Sequence, residues 1–195
     1  SIGGSPDLAQ YLQVVPGVVS SGDQGGQLYI RGGAPVQNRI MIDGMTIYNP
    51  FHSLGLFSVF ETDIIKNADV KTAAFNANYG GATSAIIDVT TRDGNKKRLS
   101  GKVSANTFTS KVILEGPLKK MKGDNGSSTS FLVSAKSSYL NRSSKVFYPY
   151  ADTTGNGLPY TFTDLYGKLS FNSNSGSKLN LFAFNFRDSA NYRKL

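Results

Sequence analysis

The chain has 195 residues and a formal net charge of +8, and the positive charge lies in its second half: residues 1–95 hold five Lys or Arg against eight Asp or Glu, and residues 96–195 hold sixteen against five. It contains no cysteine, which excludes disulfide bonds, thiolate metal sites and cysteine nucleophiles. No apolar run approaches the ~20 residues that a membrane-spanning helix needs, so only strands could cross a membrane.

The first predicted element is a helix that begins after Ser5 and ends at Pro16-Gly17. Ser5 is a favourable N-cap, and Pro6 stands at the first helical position, where proline is tolerated. Apolar residues recur at helical spacing in Leu8, Tyr11, Leu12 and Val15. Because the helix has a single apolar stripe, we expect it to pack on a sheet.

Four short strands are predicted to form that sheet, and their ranges are 28–31, 39–47, 64–72 with an interruption near Asn67, and 85–91. The run FHSLGLFSVF at 51–60 is apolar on most sides, which predicts a buried helical turn. Paired glycines in the loops fit tight turns and close backbone approach. Residues 1–95 are therefore predicted to form a compact α+β domain.

The second half alternates apolar and polar residues over runs near the ~9–11 residues of a tilted membrane-spanning strand. Strands are predicted at 99–108, 130–140, 160–171 and 178–187, with a shorter run at 112–116 as the return strand of the first. In the last of these, Phe182, Phe184 and Phe186 share one face. We find no helical periodicity here, and residues 142–159 are predicted to be a long loop.

A soluble sandwich would show the same alternation, but four or five strands cannot close a barrel, which needs about eight. Left open, such a sheet would expose unpaired edges. We therefore expect the 195 residues to be the front part of a longer chain. The basic charge by itself fits a nucleic acid, an anionic membrane surface or a solvated surface.

Several short motifs follow one another in a fixed order: LYIRGG at 28–33, QNRIMIDGMTIYNP at 37–50, HSLGLFSVF at 52–60, DIIKNADV at 63–70 and AFNANYGGATSAIIDVTTRDGN at 74–95. In this order they resemble the plug of the TonB-dependent receptors of the Gram-negative outer membrane, of the type common in the Bacteroidetes. The segments LEGPL at 114–118, SFLVSAKSSYLNR at 130–142 and TDLYGKLSFN at 163–172 are similar to the first barrel strands of such receptors.

The resemblance implies an α+β plug at 1–95, a four-stranded sheet with short helices, followed at 96–195 by antiparallel strands of a 22-stranded transmembrane β-barrel. It implies active import of a scarce solute across the outer membrane, a siderophore, vitamin, glycan or peptide, with the plug gating the barrel. The implied partners are the TonB complex, acting through a segment before Ser1, and the protein's own barrel beyond Leu195. A surface lipoprotein and lipopolysaccharide at the basic rim are further implied partners.

The resemblance also implies roles for particular residues. Two plug loops, 33–37 and 48–52, would face the outer vestibule, where the ligand-binding candidates are Gln37, Tyr48, Asn49, Phe51 and His52. Plug structure and gating are assigned to Arg31, Gly32, Asp43, Gly44, Tyr79, Gly80 and Gly81. Because burial of an unpaired charge costs several kcal/mol, we expect Arg31 and Asp43 each to have a partner.

Other functions have little support in the residues. His52 is the only histidine, no G-x-S-x-G motif is present, and no Gly-Lys-Ser/Thr follows the paired glycines, so we expect no enzyme, no cofactor and no protein-only metal site. The lysines alternate with apolar residues or cluster in turns, so we expect no nucleic-acid partner. A non-transporting gate or plug subunit of a larger outer-membrane assembly stays open as an alternative.

Overall fold

The chain forms two compact units, Ser1–Arg92 and Asp93–Leu195. The computed structural model describes residues 18–21, 27–30, 32–34, 37–52, 57–72, 84–120, 126–147, 149 and 157–190. The predicted opening helix lies outside the described residues, and so do four of the residues assigned to gating, which are Arg31, Tyr79, Gly80 and Gly81.

The strands described in the first unit are β1 (Val18–Ser21), β2 (Gln27–Ile30), β3 (Asn38–Ile42), β4 (Met45–Ile47), β5 (Phe51–His52), β6 (Phe57–Ser58), β7 (Ile65–Lys71) and β8 (Ala85–Thr91). Four of them form a sheet in the order β4-β3-β8-β7. Strand β8 is central, parallel to β3 and antiparallel to β7. Its apolar residues Ile86, Ile87 and Val89 are fully buried, because both faces of a central strand are covered.

The prediction of this sheet is correct in most of its parts. Strands β7 and β8 stand where they were expected, and the ladder of β7 shifts register between Ile65 and Asn67, at the predicted interruption. The predicted strand at 39–47 is a hairpin of β3 and β4, because Asp43 (φ 47) and Gly44 (φ 88) form a two-residue turn with both φ values positive. The predicted strand at 28–31 is not part of the sheet, since β2 pairs with β1.

The predicted helical turn at 51–60 is wrong for its described ends. Phe51 pairs with Ser58 and His52 with Phe57, so β5 and β6 form a short antiparallel pair. Aromatic residues favour this extended pairing, and Gly55 would weaken a helix through the same segment. A 3-10 turn follows at Thr62–Ile64.

The second unit contains the strands β9 (Ser100–Ala105), β10 (Thr109–Lys119), β11 (Ser128–Ser138), β12 (Tyr160–Asn172) and β13 (Lys178–Ala190), and the helix α1 (Leu140–Phe147). The strands form one antiparallel sheet in the order β13-β12-β11-β10-β9, so neighbours along the chain are neighbours in the sheet. All five predicted strands are present, and β10 is the expected partner of β9.

The two faces of this sheet are inverted relative to a soluble protein. The exposed face carries large apolar side chains, among them Val103, Val112, Leu114, Val133, Leu165 and Leu181. The opposite face is buried although it is polar, and it includes Ser130, Ser134, Asp164, Lys168 and Ser170. An apolar outer face and a polar inner face are the pattern of transmembrane β-barrel strands.

Two details of the second unit differ from the prediction or refine it. Helix α1 lies in the segment predicted to be a loop. Its buried positions are Leu140, Ser143 and Ser144, so serines stand where an apolar stripe would have indicated a helix.

Phe182 and Phe184 share a face as predicted, but they pair with Lys168 and Tyr166, which places them on the polar face of the sheet.

None of the described helices is long and apolar enough to span a membrane.

Candidate functional site

The topology of the first unit collects three of the predicted ligand-binding residues at one end of the sheet. Ile40 pairs with Ile47, so the chain before β3 and the chain after β4 lie at the same end of the hairpin. Gln37 immediately precedes β3, and Tyr48 and Asn49 immediately follow β4. We call this the loop end of the sheet; the Asp43-Gly44 turn lies at the opposite end, which we call the turn end.

The loop end is held by hydrogen bonds that involve Gln37. The side-chain Oε1 of Gln37 accepts from the backbone N–H of Ala34 at 2.8 Å, and its carbonyl accepts from the N–H of Ser84 at 3.3 Å. Ser84 in turn donates its hydroxyl to the Ile30 carbonyl at 2.7 Å. A Cβ on Gly33 would lie 2.1 Å from Ser84 Oγ, so the loop requires glycine there. Gln37 is exposed but also shapes its own loop.

The segment after β4 presents its residues to solvent very unequally. Tyr48 is 95% exposed, and Asn49 is also exposed. Phe51 is half-buried, and His52, which pairs with Phe57, is only 2% exposed. Tyr48 and Asn49 are thus accessible to a ligand, whereas the side chain of His52 is buried. In the described part of the chain, no group of three or more acidic or histidine side chains is placed to hold a metal ion.

Asp43 has the partner that the sequence analysis expected. Its carboxylate accepts from the Thr91 backbone N–H at 3.0 Å and from the Thr91 hydroxyl at 2.6 Å. Its own N–H donates to the Val89 carbonyl at 2.8 Å. Aspartate tolerates a positive φ, and Gly44 and Gly32 adopt positive φ as well. The lone Asp at a strand end therefore fixes the β3–β4 turn to the end of β8.

A polar segment at the start of the second unit crosses its sheet, and sequence reasoning missed it. We call residues 93–98 the strap. At one end, Asp93 lies 2.9 Å from Lys178 Nζ and accepts from the Ser170 hydroxyl at 3.1 Å. Further along, Gly94 lies against β11, because a Cβ on Gly94 would be 1.9 Å from the Phe131 carbonyl oxygen. The Asn95 N–H donates to Glu115 on β10 at 3.0 Å. The strap thus meets β13, β12, β11 and β10 in turn.

The charge of Asp93 is stabilised by this arrangement. Burial raises the pKa of Asp93, but the hydrogen bond and the charge of Lys178 act against burial. The Ser170 hydroxyl and the charge of Lys168 act in the same direction as Lys178, so the pKa is lowered from its ordinary value of 3.8. Asp93 is therefore an anion at neutral pH, and it neutralises part of the lysine charge around it.

The polar face carries a second ion pair further along the strands. Lys136 Nζ lies 3.4 Å from Asp164 Oδ2, and both side chains are largely buried. The same ammonium lies 5.5 Å from the centre of the Phe162 ring, within range of a cation–π contact. Lys111 pairs with Lys136 across β10 and β11, which adds a further positive charge to this row. The basic charge of the second unit is thus partly carried on its polar face.

A mixed-sheet domain followed by antiparallel strands with an exposed apolar face and a buried polar face defines the class: a plug domain followed by strands of an outer-membrane receptor. Residues 3–86 match the family model of the TonB-dependent receptor plug domain, and this match covers less than half of the chain. The resemblance to the TonB-dependent receptors is confirmed, although nothing tests the Bacteroidetes type, and the protein is assigned to the outer membrane.

Solved receptors share this fold. The siderophore receptor PirA from Pseudomonas aeruginosa is 20% identical with a TM-score of 0.57, over 96% of this chain and 33% of that one. The pyoverdine receptor FpvA from the same species, strain PAO1, bound to pyoverdine, is 16% identical with a TM-score of 0.57, over 93% and 25%. The FrpB iron transporter from Neisseria meningitidis is 17% identical with a TM-score of 0.57, over 94% and 30%.

The chain thus spans a third or less of the length of these three structures. No curated protein sequence matches it significantly.

Proposed function

We propose that the protein imports a scarce solute across the outer membrane, driven by the TonB complex, with the plug gating the passage. The observation that carries the proposal is a TonB-dependent receptor plug domain at 3–86 followed by strands whose apolar face is exposed. We propose further that residues 1–95 are the plug and that residues 96–195 are the first strands of a 22-stranded barrel.

The substrate class is proposed from the similar structures. Those proteins are a siderophore receptor, a pyoverdine receptor and an iron transporter. For this chain we propose a chelated metal as the first substrate to test, ahead of a vitamin, glycan or peptide. The described residues hold no metal-binding cluster, so the chelator would supply the metal ligands.

The proposed substrate contacts lie at the loop end of the plug sheet. Tyr48 is the foremost candidate because its ring is almost fully exposed, and Asn49 offers an adjacent amide. Gln37 lies at the same end but uses its side-chain oxygen within its loop. Phe51 is half-buried and His52 is buried, so both are weaker candidates for the contact. We assign Gly32, Asp43 and Gly44 to plug structure, and Arg31, Tyr79, Gly80 and Gly81 to gating on the resemblance alone.

The proposed partners follow from the same assignment. The TonB complex would act through a segment N-terminal to Ser1, and the remaining barrel would lie C-terminal to Leu195. Lipopolysaccharide at the rim and a surface lipoprotein rest on the resemblance, although Val146 and Phe147 on α1 offer an exposed apolar contact for a protein partner.

The test is uptake of iron-loaded siderophores by cells that produce the full-length receptor. We expect uptake to stop when the proton gradient is collapsed, and binding to the outer membrane to persist. Tyr48→Ala should weaken substrate binding by roughly tenfold, about the 1–1.5 kcal/mol of one aromatic contact, while Met45→Ala, an exposed residue at the turn end, should leave it unchanged. Binding without energised uptake would favour the non-transporting gate.

A further inference from the structure

We propose that the strap is a fixed anchor for the plug: it stays docked on the sheet of the second unit while the TonB complex rearranges the residues before it. The inference rests on the proposed function, because it takes TonB to pull on the N-terminal side of the plug. A pull on one end of a segment deforms that segment only if its other end is held. The strap begins where the first unit ends, so it stands where the hold is needed.

Two consecutive residues at this junction are held in different units. Arg92, the last residue of the first unit, donates its backbone N–H to the Ile64 carbonyl at 2.8 Å and its Nε–H to the Asp63 carbonyl at 3.0 Å. Asp93, the first residue of the second unit, makes its contacts on β12 and β13. A movement that spreads along the chain from the plug therefore meets the contacts of the second sheet first at Asp93.

Asp93 is surrounded by three ammonium groups. Its carboxylate lies 2.9 Å from Lys178 Nζ, 3.6 Å from Lys96 Nζ and 4.0 Å from Lys168 Nζ. The side chain of Lys168 is only 2% exposed. Removal of a partner from a buried charge is strongly destabilising. Release of the strap would take an anion away from Lys168, so the charges of the polar face oppose release.

The strap is held along its length and not only at Asp93. Gly94 is buried, and its backbone lies against the backbone of β11, since a Cβ there would be 1.9 Å from the Phe131 carbonyl oxygen. The Asn95 N–H donates to the Glu115 carboxylate on β10 at 3.0 Å, a charge-assisted hydrogen bond. With the Asp93 contacts, the strap is fixed to four strands that are joined by continuous ladders. A load on the strap is therefore divided among four strands.

The first test measures docking in the full-length receptor by hydrogen exchange of the Asn95 amide, which donates to β10. Lys178→Gln removes the β13 ammonium from Asp93, so exchange should accelerate about fivefold, the contribution of one partly exposed ion pair. Lys96→Gln is the matched control, because it also removes an ammonium paired with Asp93, but Lys96 belongs to the strap itself. It should change the exchange rate less than about twofold.

The second test asks whether the strap stays docked during solute uptake. Ser170 Oγ lies 3.1 Å from a carboxylate oxygen of Asp93, so the double variant Asp93→Cys/Ser170→Cys places two thiols side by side in residues that hold no native cysteine. An oxidant joins the thiols, and a reductant separates them. In the reduced form we expect uptake at least about tenfold slower than in the wild type, because the charge-assisted contacts are lost. The cross-link should restore the wild-type rate, since a covalent bond replaces those contacts.

Two controls accompany the uptake assay. Ser170→Cys alone keeps Asp93 and cannot form the bond, so the oxidant should not change its uptake. Lys178→Gln should slow uptake and Lys96→Gln should not, because only Lys178 ties the strap to the sheet. These single variants decide the question if the reduced double variant does not reach its heat-modifiable folded form.

The other outcomes would overturn the anchor. Uptake that stops on cross-linking would show that the strap must leave the sheet during transport. Normal uptake in both the reduced and the oxidised double variant would show that no hold is needed at Asp93. Equal acceleration of exchange in Lys178→Gln and Lys96→Gln would show that the ion pair to β13 does not hold the strap. A wild-type receptor that binds solute but does not take it up would instead overturn the import function itself.

Discussion

Replacement of Asp43 by alanine would test how the turn end of the plug sheet is held. The carboxylate accepts two hydrogen bonds from Thr91, at 3.0 and 2.6 Å, and Asp43 adopts a positive φ of 47°. A hydrogen bond to a charged group contributes about 1.5–3 kcal/mol, and an alanine in the left-handed region costs about 1 kcal/mol. Since Asp43 is only half-buried, water replaces part of the loss. We expect a local destabilisation of about 3 kcal/mol.

Hydrogen exchange in the full-length receptor measures this effect directly, because the Thr91 amide is itself a donor to Asp43. At about 1.4 kcal/mol per factor of ten, exchange of that amide should accelerate about a hundredfold in Asp43→Ala. Asp43→Asn keeps an acceptor and tolerates the positive φ, so it should accelerate exchange only about fivefold. Asp69→Ala is the control, since Asp69 is an exposed carboxylate on β7 of the same sheet.

Two results would refute this reasoning. Thr91 exchange in Asp43→Ala within threefold of the wild-type rate would show that the carboxylate does not hold the end of β8. Equal rates in Asp43→Ala and Asp43→Asn would show that neither the retained acceptor nor the tolerance for positive φ matters at this position.

Three further predictions concern the second unit. Gly94→Ala should prevent the receptor from reaching its heat-modifiable folded form, because the new Cβ would lie 1.9 Å from a β11 carbonyl oxygen, whereas Gly167→Ala, with no atom within 4 Å, should fold normally. Asp93→Asn should lower the thermal unfolding midpoint near neutral pH. Because the folded-state pKa of Asp93 is lowered from 3.8, the extra stability of the wild-type protein is full above pH 3.8 and is lost as the pH falls through the folded-state pKa. Val133→Lys, on the exposed apolar face, should destabilise the membrane-inserted strands by about 2–4 kcal/mol, as measured by urea unfolding in lipid vesicles. Ser137→Lys, near the strand end on the same face, should destabilise them by no more than about 1 kcal/mol.

The sequence predicted the strands of both units better than their connections. The strands β7 and β8 and the five strands of the second unit were each visible as an alternating or apolar run. The Asp43-Gly44 turn lies inside the strand predicted at 39–47, because the apolar pattern alone did not show that the strand doubles back there. Helix α1 was missed because Ser143 and Ser144 occupy its buried side, where Ser144 bonds to the Leu140 carbonyl at 2.6 Å.

The candidate site was only partly predictable. Gln37, Tyr48 and Asn49 were selected because the resemblance places their loops at the outer vestibule, and the register of β3 and β4 brings them to one end of the sheet. Nothing in the sequence indicated that Tyr48 would be exposed and His52 buried, because burial there depends on tertiary packing.

By itself, the sequence determined which residues share a face of each strand, because the period of two is a local property of extended backbone. It also determined where the turn chemistry allows the chain to reverse, as at Gly44. The tertiary structure decided which face is exposed, which strands pair, and which distant charges meet. Asp93 lies more than seventy residues from Lys168 and Lys178, and only the register of β12 and β13 brings their ammonium groups to its carboxylate.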